Sequence, residues 1–321
     1  MVSATHLILI PSYNPGPRLL ATVREALECW SPVWVVVDGS TDGSHAAVEE
    51  LARSEPGLRV ILRPRNGGKG AAVLTGAGAA GAAGFTHALV MDADGQHPAD
   101  RIADFMAASE AAPAALVLGR PVFGPEAPMV RLQGRKLSVA LVRFEVFGAG
   151  IDDPLFGFRV YPLAALRRVL QATGGGRHYD FDAEAAVRLV WAGTPTVNLP
   201  ARCRYLSADE GGISHFHYVR DNLRMIWLHT RLIAALLARM FHYAATAATN
   251  DGKPGAVRAM EPVIGGDARS TSSSVRRVRQ AHRRQAQDDP EQSRMGQGPE
   301  QSRGSAPPSS RIVACRDKMN K

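Results

Sequence analysis

Short apolar runs and longer amphipathic stretches alternate along the first 119 residues of the chain. The apolar runs predict five strands, at His6–Ile10, Val33–Val37, Leu58–Leu62, His87–Met91 and Ala115–Leu118. The stretches between them predict four helices, at about Pro17–Cys29, Ser44–Ser54, Gly70–Ala83 and Pro98–Ala108. Nearly all-apolar strands separated by helices are typical of a mostly parallel sheet that helices cover on both faces. The expected fold class is therefore α/β.

The pattern becomes less regular after Gly119. It predicts helices at Arg131–Phe147 and Phe181–Trp191 and strands at Phe156–Tyr161 and Thr196–Leu199. From residue 216 to residue 241, apolar residues recur at helical spacing with basic residues between them. Such an amphipathic helix either packs against the core or lies in a membrane interface.

Composition changes at about residue 250. Residues 250–321 are rich in Ser, Gln, Pro, Gly and Arg without apolar periodicity, so we expect a disordered tail. The tail holds 14 Lys and Arg against 8 Asp and Glu, which accounts for +6 of the net charge of +8. The arginine cluster at 276–284 either binds an anionic lipid or nucleic acid, or belongs to a solvated extension without a partner. The expected organisation is an α/β domain over 1–214 (halves 1–119 and 120–214), an amphipathic segment over 215–249 and the tail.

No secretory leader or membrane span is predicted. The first apolar run stops at Pro11, which is too early for a signal peptide. No segment reaches the length of about 20 apolar residues that a spanning helix needs. The cysteines at 29, 203 and 315 are odd in number and far apart, which fits a reduced compartment. We therefore expect a cytoplasmic protein, associated with the inner face of the membrane if the amphipathic segment lies there.

Asp92-Ala93-Asp94 follows a predicted strand directly and is the most informative polar pattern in the chain. Period-2 alternation aims both acids to one side, just past the carboxyl end of the strand. Ligands bind at that edge in open α/β sheets. Two carboxylates suit Mg²⁺ or Mn²⁺, which complete their shell with water and substrate phosphates. Taken alone, such a motif is more often a solvated turn.

Three other polar segments follow the earlier strands. They are Ile10–Asn14 (I-P-S-Y-N), Val36–Gly43 (V-V-D-G-S-T-D-G) and Asn66–Gly70 (N-G-G-K-G). Each stands at the carboxyl end of a predicted strand, so all of them should converge with the D-x-D pair on one edge of the sheet. The third lacks the G-x-x-x-x-G-K-[ST] spacing of a P-loop, which argues against a kinase or an NTPase.

Together these segments resemble the motifs of the family 2 glycosyltransferases, in particular the branch with dolichol- and polyprenyl-phosphate sugar synthases. The matching patterns are I-P-x-Y-N, D-G-S-x-D-G, N-x-G-K-G and M-D-A-D-x-Q-H-P, and the likeness covers roughly residues 5–235. The resemblance implies the GT-A fold, a Rossmann-like, mostly parallel sheet flanked by helices. It also implies a metal-assisted, inverting transfer from a nucleoside-diphosphate sugar to a lipid-phosphate or other lipid-linked or glycan acceptor.

The resemblance further implies the residues of the donor side. Asp92 and Asp94 would bind the metal, Mg²⁺ or Mn²⁺, with Gln96 assisting. The family often has two acids before the Gly-Ser, but the first position here is Val37, which leaves the identity of the donor open. The expected donor-binding residues are Pro11, Tyr13 and Asn14 around the nucleoside, Asp38 and Ser40 at the base or ribose, Lys69 at the base or diphosphate, Asp92 by the ribose, and Arg120.

Residues 120–214 are expected to supply the acceptor side. The resemblance places Arg131 and Arg135 near an acceptor phosphate, although a charged helix face would show the same pattern. A phosphate acceptor needs little general base, since its second pKa is about 6. A hydroxyl acceptor needs a carboxylate, for which Asp182 and Glu184 are candidates. Both acids would also suit the start of a helix.

Two other classes of protein compete with this interpretation. A sugar-nucleotide pyrophosphorylase would also use a metal and a sugar nucleotide, but it needs a G-x-G-x-R loop where Pro11-Ser12-Tyr13 stands. A non-catalytic protein that binds nucleotide sugar or nucleic acid is the second. Residues 1–249 show no basic patch with interleaved aromatic residues, so we expect no nucleic-acid partner.

Overall fold

The computed structural model describes residues 1–124, 129–171, 180–204 and 218–249. In these ranges the strands are β1 (His6–Ser12), β2 (Val33–Asp38), β3 (Leu58–Arg63), β4 (His87–Val90), β5 (Leu116–Phe123), β6 (Arg159–Pro162) and β7 (Thr196–Cys203). The helices are α1 (Arg18–Cys29), α2 (His45–Ser54), α3 (Lys69–Ala82), α4 (Ile102–Ala111), α5 (Met129–Glu145), α6 (Leu163–Gln171), α7 (Phe181–Trp191) and α8 (Tyr218–Thr249).

The strands form a single mixed sheet in the order β3-β2-β1-β4-β6-β5-β7. Strand β6 runs antiparallel to β4 and β5, whereas the other pairings are parallel. Every residue of β1 and β2 is buried, as expected of central strands that are covered on both faces. The predicted α/β fold, a mostly parallel sheet flanked by helices, is confirmed.

Helix α3 lies unusually close to the sheet because its contact positions are small. A Cβ atom at Gly76 would stand 2.9 Å from Leu9 Cδ2 and 3.0 Å from Val36 Cγ2, closer than a carbon contact allows. Ala72, Val73 and Ala77 are fully buried on the same helix. Gly76 therefore sets the distance between α3 and the sheet. It thereby fixes Lys69, the first residue of α3.

Strands β5, β6 and β7 differ from their predicted bounds by three residues or more. Strand β5 continues to Phe123 because β7 pairs with it along its whole length. Strand β6 begins at Arg159 and not at Phe156, because Asp153 Oδ1 accepts the N–H groups of Leu155 and Phe156 at 2.8 and 2.9 Å and holds that segment in a turn. The predicted strand at Phe156–Tyr161 is therefore wrong in its first half.

Helix α6 was not predicted, although its apolar residues have helical spacing. Leu163, Leu166 and Leu170 follow at i, i+3 and i+7, and all three are buried. The helix starts directly after Pro162, the last residue of β6. Because α6 has only nine residues and no loop separates it from β6, its helical periodicity is hard to distinguish from the preceding strand.

The amphipathic segment forms α8, whose inner face packs on the core. Leu228, Leu232 and Leu236 are buried, and His229 Nδ1 lies 2.7 Å from the carboxylate of Glu145 on α5. No helix in the described ranges is both long and apolar enough to cross a membrane. The predicted tail, 250–321, lies outside the described residues.

Stability should fall below neutral pH because of His6 at the amino end of β1. Burial, assisted by the stacked ring of His87 at 4.4 Å, lowers the pKa of His6 to about 4. In the unfolded chain, His6 binds a proton near pH 6.5. The stability that the neutral, buried His6 contributes is therefore fully present above pH 6.5 and is lost as the pH falls toward 4. We expect the Tm of the parent to drop more between pH 7.5 and pH 5 than that of His6→Gln. Parallel curves for the two proteins would contradict this.

Candidate functional site

The loops after β1 and β2 are joined side by side at the carboxyl edge of the sheet. The N–H of Asn14 donates to Ser40 Oγ at 3.1 Å, and the N–H of Thr41 donates to Asn14 Oδ1 at 2.8 Å. Tyr13 is 42% exposed beside them, whereas Pro11 is buried in β1. The structure therefore brings Tyr13, Asn14 and Ser40 together as one wall, as expected of residues around a nucleoside.

Asp38 has a different task from the one predicted for it. Its carboxylate accepts the N–H groups of Gly67 at 3.1 Å and Gly68 at 2.7 Å, and it also accepts a hydrogen bond from Arg63. Both oxygens are used and the side chain is 3% exposed, so the predicted contact with a base or ribose is not supported by this placement. Asp38 instead fixes the loop that delivers Lys69.

Lys69 joins two acids from distant parts of the chain. Its ammonium lies 2.7 Å from Asp92 Oδ1 and 2.7 Å from Asp182 Oδ2. Burial opposes its charge, but the two carboxylates outweigh burial and raise the pKa of Lys69. Burial likewise opposes ionisation of Asp92, yet Lys69 holds the pKa of Asp92 below its usual range. A Cβ atom at Gly157 would collide with this ammonium, so a larger residue there would push Lys69 away from its position between the two acids.

Asp94 lies next to Asp92, and the negative charge of Asp92 acts on its carboxylate. Its Oδ1 accepts the N–H of Gln96 at 3.0 Å. Burial and the neighbouring charge of Asp92 raise the pKa of Asp94 to about 6. The main chain of Gln96 is also held, because its carbonyl accepts the N–H of Arg204 at 3.1 Å.

The acids fit a divalent ion that takes only part of its shell from protein. Among the described residues, no group of three His, Cys, Asp or Glu side chains is assembled around one point. Mg²⁺ and Mn²⁺ do not require such a cage, since Mg²⁺ typically takes one or two carboxylates and completes its octahedron with water and phosphate oxygens. The raised pKa of Asp94 marks a place where a positive charge would be favourable.

Helix α7 separates the two predicted catalytic acids. Residues two apart on a helix point about 200° away from each other. Asp182 faces Lys69, and its Oδ1 is buried with no hydrogen-bond partner in the described ranges. Glu184 is fully buried on the other side, where Arg188 and Arg231 bind its carboxylate at 2.7 and 3.2 Å. The carboxylate of Glu184 is therefore paired with two arginines on the side of α7 away from Lys69.

Exchange of each acid for its amide should separate the two roles. We expect Asp182→Asn to lower the rate of the reaction, because its carboxylate holds the Lys69 ammonium in position in the site. Glu184→Gln should keep the rate but lose about 1.5–3 kcal/mol of unfolding free energy, the usual value of a hydrogen bond to a charged group. Urea unfolding and turnover, measured on both variants, check this. A Glu184→Gln protein that is stable and inactive would reverse the assignment.

Arg135 forms a bidentate ion pair with Asp153. Its Nε and Nη2 donate to the two oxygens of Asp153 at 2.5 and 3.0 Å, and its guanidinium stands 5.1 Å from the ring centroid of Phe123. Arg135 thus holds the turn at 153–156. Arg120 is exposed on β5. Arg131 belongs to α5, but its side chain is outside the described part.

A cavity of about 450 Å³ lies between the end of β5 and α5. Apolar side chains and three cations share its walls, which suits an amphipathic anion better than a purely apolar ligand. The lining residues are Phe123, Leu132, Arg135, Lys136, Val139, Ala140 and Arg143.

Two buried residues of the site were not among the predicted catalytic, donor-binding or metal-binding residues. Arg159 is 0% exposed and donates to the carbonyls of Phe156 at 2.8 Å, Pro154 at 2.6 Å and Asp182. His97 is 5% exposed, and its Nδ1 lies 2.9 Å from the N of Asp92. The sequence signals were an arginine between apolar residues and a histidine inside the M-D-A-D-x-Q-H-P pattern, and neither signal names the partner of the residue.

Comparisons with known proteins identify the family to which the chain belongs. A family model described as glycosyl transferase family 2 matches residues 7–171. A polyprenol monophosphomannose synthase of Mycolicibacterium smegmatis is 30% identical over 200 residues, which cover 60% of this chain and 75% of the relative. An undecaprenyl-phosphate mannosyltransferase of Micrococcus luteus is 28% identical over 200 residues, covering 60% of this chain and 81% of that protein.

Likeness to solved structures is weaker. The mannosyltransferase PcManGT from Pyrobaculum calidifontis, solved in complex with GDP-Man and Mn²⁺, is 19% identical with a TM-score of 0.48. The superposition covers 88% of this chain and 75% of that chain.

Proposed function

Because the chain belongs to glycosyl transferase family 2 and is a glycosyltransferase, we propose that it moves a sugar, with inversion, from a nucleoside-diphosphate sugar to a polyprenyl phosphate. The observation that carries the donor side is the cluster of Lys69, Asp92 and Asp182 at the carboxyl edge of the sheet. The names of the two mannosyl-transferring relatives support the class of acceptor.

On the donor side, the residues of the chain would bind the diphosphate and the nucleoside. Tyr13, Asn14 and Ser40 form the wall offered to the nucleoside. Asp92 and Asp94, with Gln96, would hold Mg²⁺ or Mn²⁺, which when bound neutralises the charge that grows on the departing diphosphate. The Lys69 ammonium supplies a second, permanent positive charge beside that group.

On the acceptor side, a phosphate fits the arrangement better than a hydroxyl. A hydroxyl would need a base, but Glu184 is bound by two arginines and one oxygen of Asp182 is bound by Lys69. A phosphate is largely ionised near neutrality and attacks without one. The cavity beside α5 offers Arg135 and the other cations for the phosphate and apolar walls for the start of the lipid chain.

A lipid acceptor requires that the enzyme reach a membrane, and one surface suits that task. We define the apolar face as the exposed apolar residues of α5 and α8 together with Phe147, which lies just after α5. It includes Trp227 and Ile226, each 63% exposed, and Phe241 at 73%. Exposed Lys136 and Arg143 flank it on α5, as expected for contact with anionic lipid. The members are Leu137, Phe144, Phe147, Leu223, Ile226, Trp227, Leu237, Met240 and Phe241.

Removing two members of the apolar face should weaken binding to vesicles. Burial of a large apolar side chain contributes about 1.5–3 kcal/mol, so Ile226→Ser with Trp227→Ser should lower partitioning by at least about tenfold. Flotation with vesicles of phosphatidylcholine and phosphatidylglycerol measures this. The matched control is Leu62→Ser on β3, where an apolar residue is 54% exposed outside the apolar face. Equal flotation of the double variant and the control would contradict the proposal.

The proposed function is tested with purified protein, polyprenyl monophosphate and a panel of radiolabelled UDP-, GDP- and dTDP-sugars, with Mg²⁺ or Mn²⁺. The expected result is one labelled lipid product, formed from one class of donor. Release of nucleoside triphosphate with added pyrophosphate would favour a pyrophosphorylase. Binding of donor without any product from lipid or glycan acceptors would favour a non-catalytic protein.

A further inference from the structure

His97 is locked in place by contacts that do not involve its neighbours in the D-x-D loop. Its ring makes an edge contact with Phe156, with centroids 4.8 Å apart, and lies 5.5 Å from Phe158. Both aromatic residues belong to the segment that also carries Gly157 against Lys69. The orientation of the ring is therefore set by the second half of the domain.

Both nitrogens of this ring face Asp92. Nδ1 lies 2.9 Å from the backbone N of Asp92, and Nε2 lies 3.6 Å from its Oδ2. A backbone N–H only donates, so Nδ1 accepts this hydrogen bond, and the ring proton is assigned to Nε2. The N–H of the ring consequently points toward the carboxylate.

The carboxylate of Asp92 is thus oriented from two sides. Oδ1 is bound by Lys69 at 2.7 Å, and Oδ2 faces His97. Asp94, in contrast, is held within its own loop through the N–H of Gln96. Partners of this kind fix the direction in which a carboxylate presents its free lone pairs to an ion.

We propose that His97 is a positioning residue for the divalent metal. It holds the backbone and the carboxylate of Asp92 so that Asp92 and Asp94 present oxygens to the same ion. This inference rests on the proposed function, in which those two acids bind the metal. Loss of an outer partner of a metal ligand typically costs roughly 10–100-fold in metal affinity.

Binding of Mn²⁺ to the full chain without nucleotide tests this, with free Mn²⁺ measured by electron paramagnetic resonance. We expect His97→Leu to weaken affinity roughly 10–100-fold. His97→Asn keeps an acceptor near the Nδ1 position but lacks the Nε2 contact, so it should show a smaller loss. The control is His87→Leu, which removes a histidine of similar burial at the opposite end of β4 and should bind like the parent.

Three outcomes would overturn the proposal. One is parent affinity in His97→Leu, or in His97→Asn if the leucine variant does not fold. Another is an equal loss in His87→Leu, which would indicate general destabilisation. In both cases the proposed function stands, because the parent binds Mn²⁺. A parent protein that binds no Mn²⁺ would contradict the metal assigned under the proposed function, and the role of His97 with it.

Discussion

Lys69→Met should produce an inactive and strongly destabilised protein. The substitution leaves Asp92 and Asp182 facing one another without their shared ammonium. Breaking a buried ion pair by removing one partner costs about 3–5 kcal/mol, and an electrostatic group at a reacting centre is worth roughly 10²–10³ in rate. Urea unfolding at pH 7 and turnover with the preferred donor measure the two effects.

The stability that Lys69→Met loses should also depend on pH, which gives a second test of the ion pairs of Lys69. Lys69 holds the pKa of Asp92 below its usual range, and its removal takes that effect away. The loss of stability in Lys69→Met should therefore shrink as acid protonates Asp92 between pH 7 and pH 4. The matched control is Arg53→Met, which breaks an exposed pair with Glu50 in which both side chains are at least 70% exposed. Such pairs contribute less than about 1 kcal/mol. A Lys69 variant as stable as this control would refute the ion pair.

Arg159→Met should have the largest effect on folding. The guanidinium is fully buried and satisfies three main-chain carbonyls and the hydroxyl of Tyr161. Each buried group left without its partner costs about 1–3 kcal/mol, so the total should exceed about 3 kcal/mol. Arg159→Lys should rescue little, because a single ammonium does not reproduce the planar fork of donors. Urea unfolding of both variants measures this.

Arg159 also connects stability with the site. It ties the segment before β6 to the main chain of Asp182, and that segment places Gly157 against Lys69. We therefore expect the lysine variant, if it folds, to lose turnover as well as stability. Full turnover in a folded Arg159→Lys protein would show that the segment is held by other contacts.

The sequence predicted the frame of the site because that frame depends on local pattern. Short apolar runs became β1 to β4, and the polar segments after β1, β2 and β4 and before α3 lie at one edge of the sheet. Parallel pairing alone brings such segments together, whichever side chains they carry. For this reason the side-by-side position of the loops that carry Asn14 and Ser40 could be expected before any contact was known.

The sequence did not predict which charges pair with which, because these partners are far apart along the chain. Glu184 and Arg231 are 47 positions apart, and Lys69 and Asp182 are 113 apart. Asp38 was predicted to contact the ligand, but its carboxylate accepts hydrogen bonds from main-chain N–H groups of the loop after β3. An acid in a motif looks the same whether it binds a ligand, an arginine or two N–H groups.

In the proposed function, the acids after β4 bind a divalent ion that sugar transfer requires. The most direct measurement is transfer of labelled sugar to polyprenyl phosphate by parent, Asp94→Asn and the control Asp104→Asn, before and after removal of divalent ions with a chelator. Asp104 lies on α4, after the loop that carries Asp94, and forms a partly exposed ion pair with Arg101. We predict that chelation abolishes transfer by the parent, that Mn²⁺ restores it, and that Asp94→Asn loses more than the roughly 10–100-fold typical of an outer partner. Undiminished transfer by the chelated parent, or by Asp94→Asn, would contradict the account.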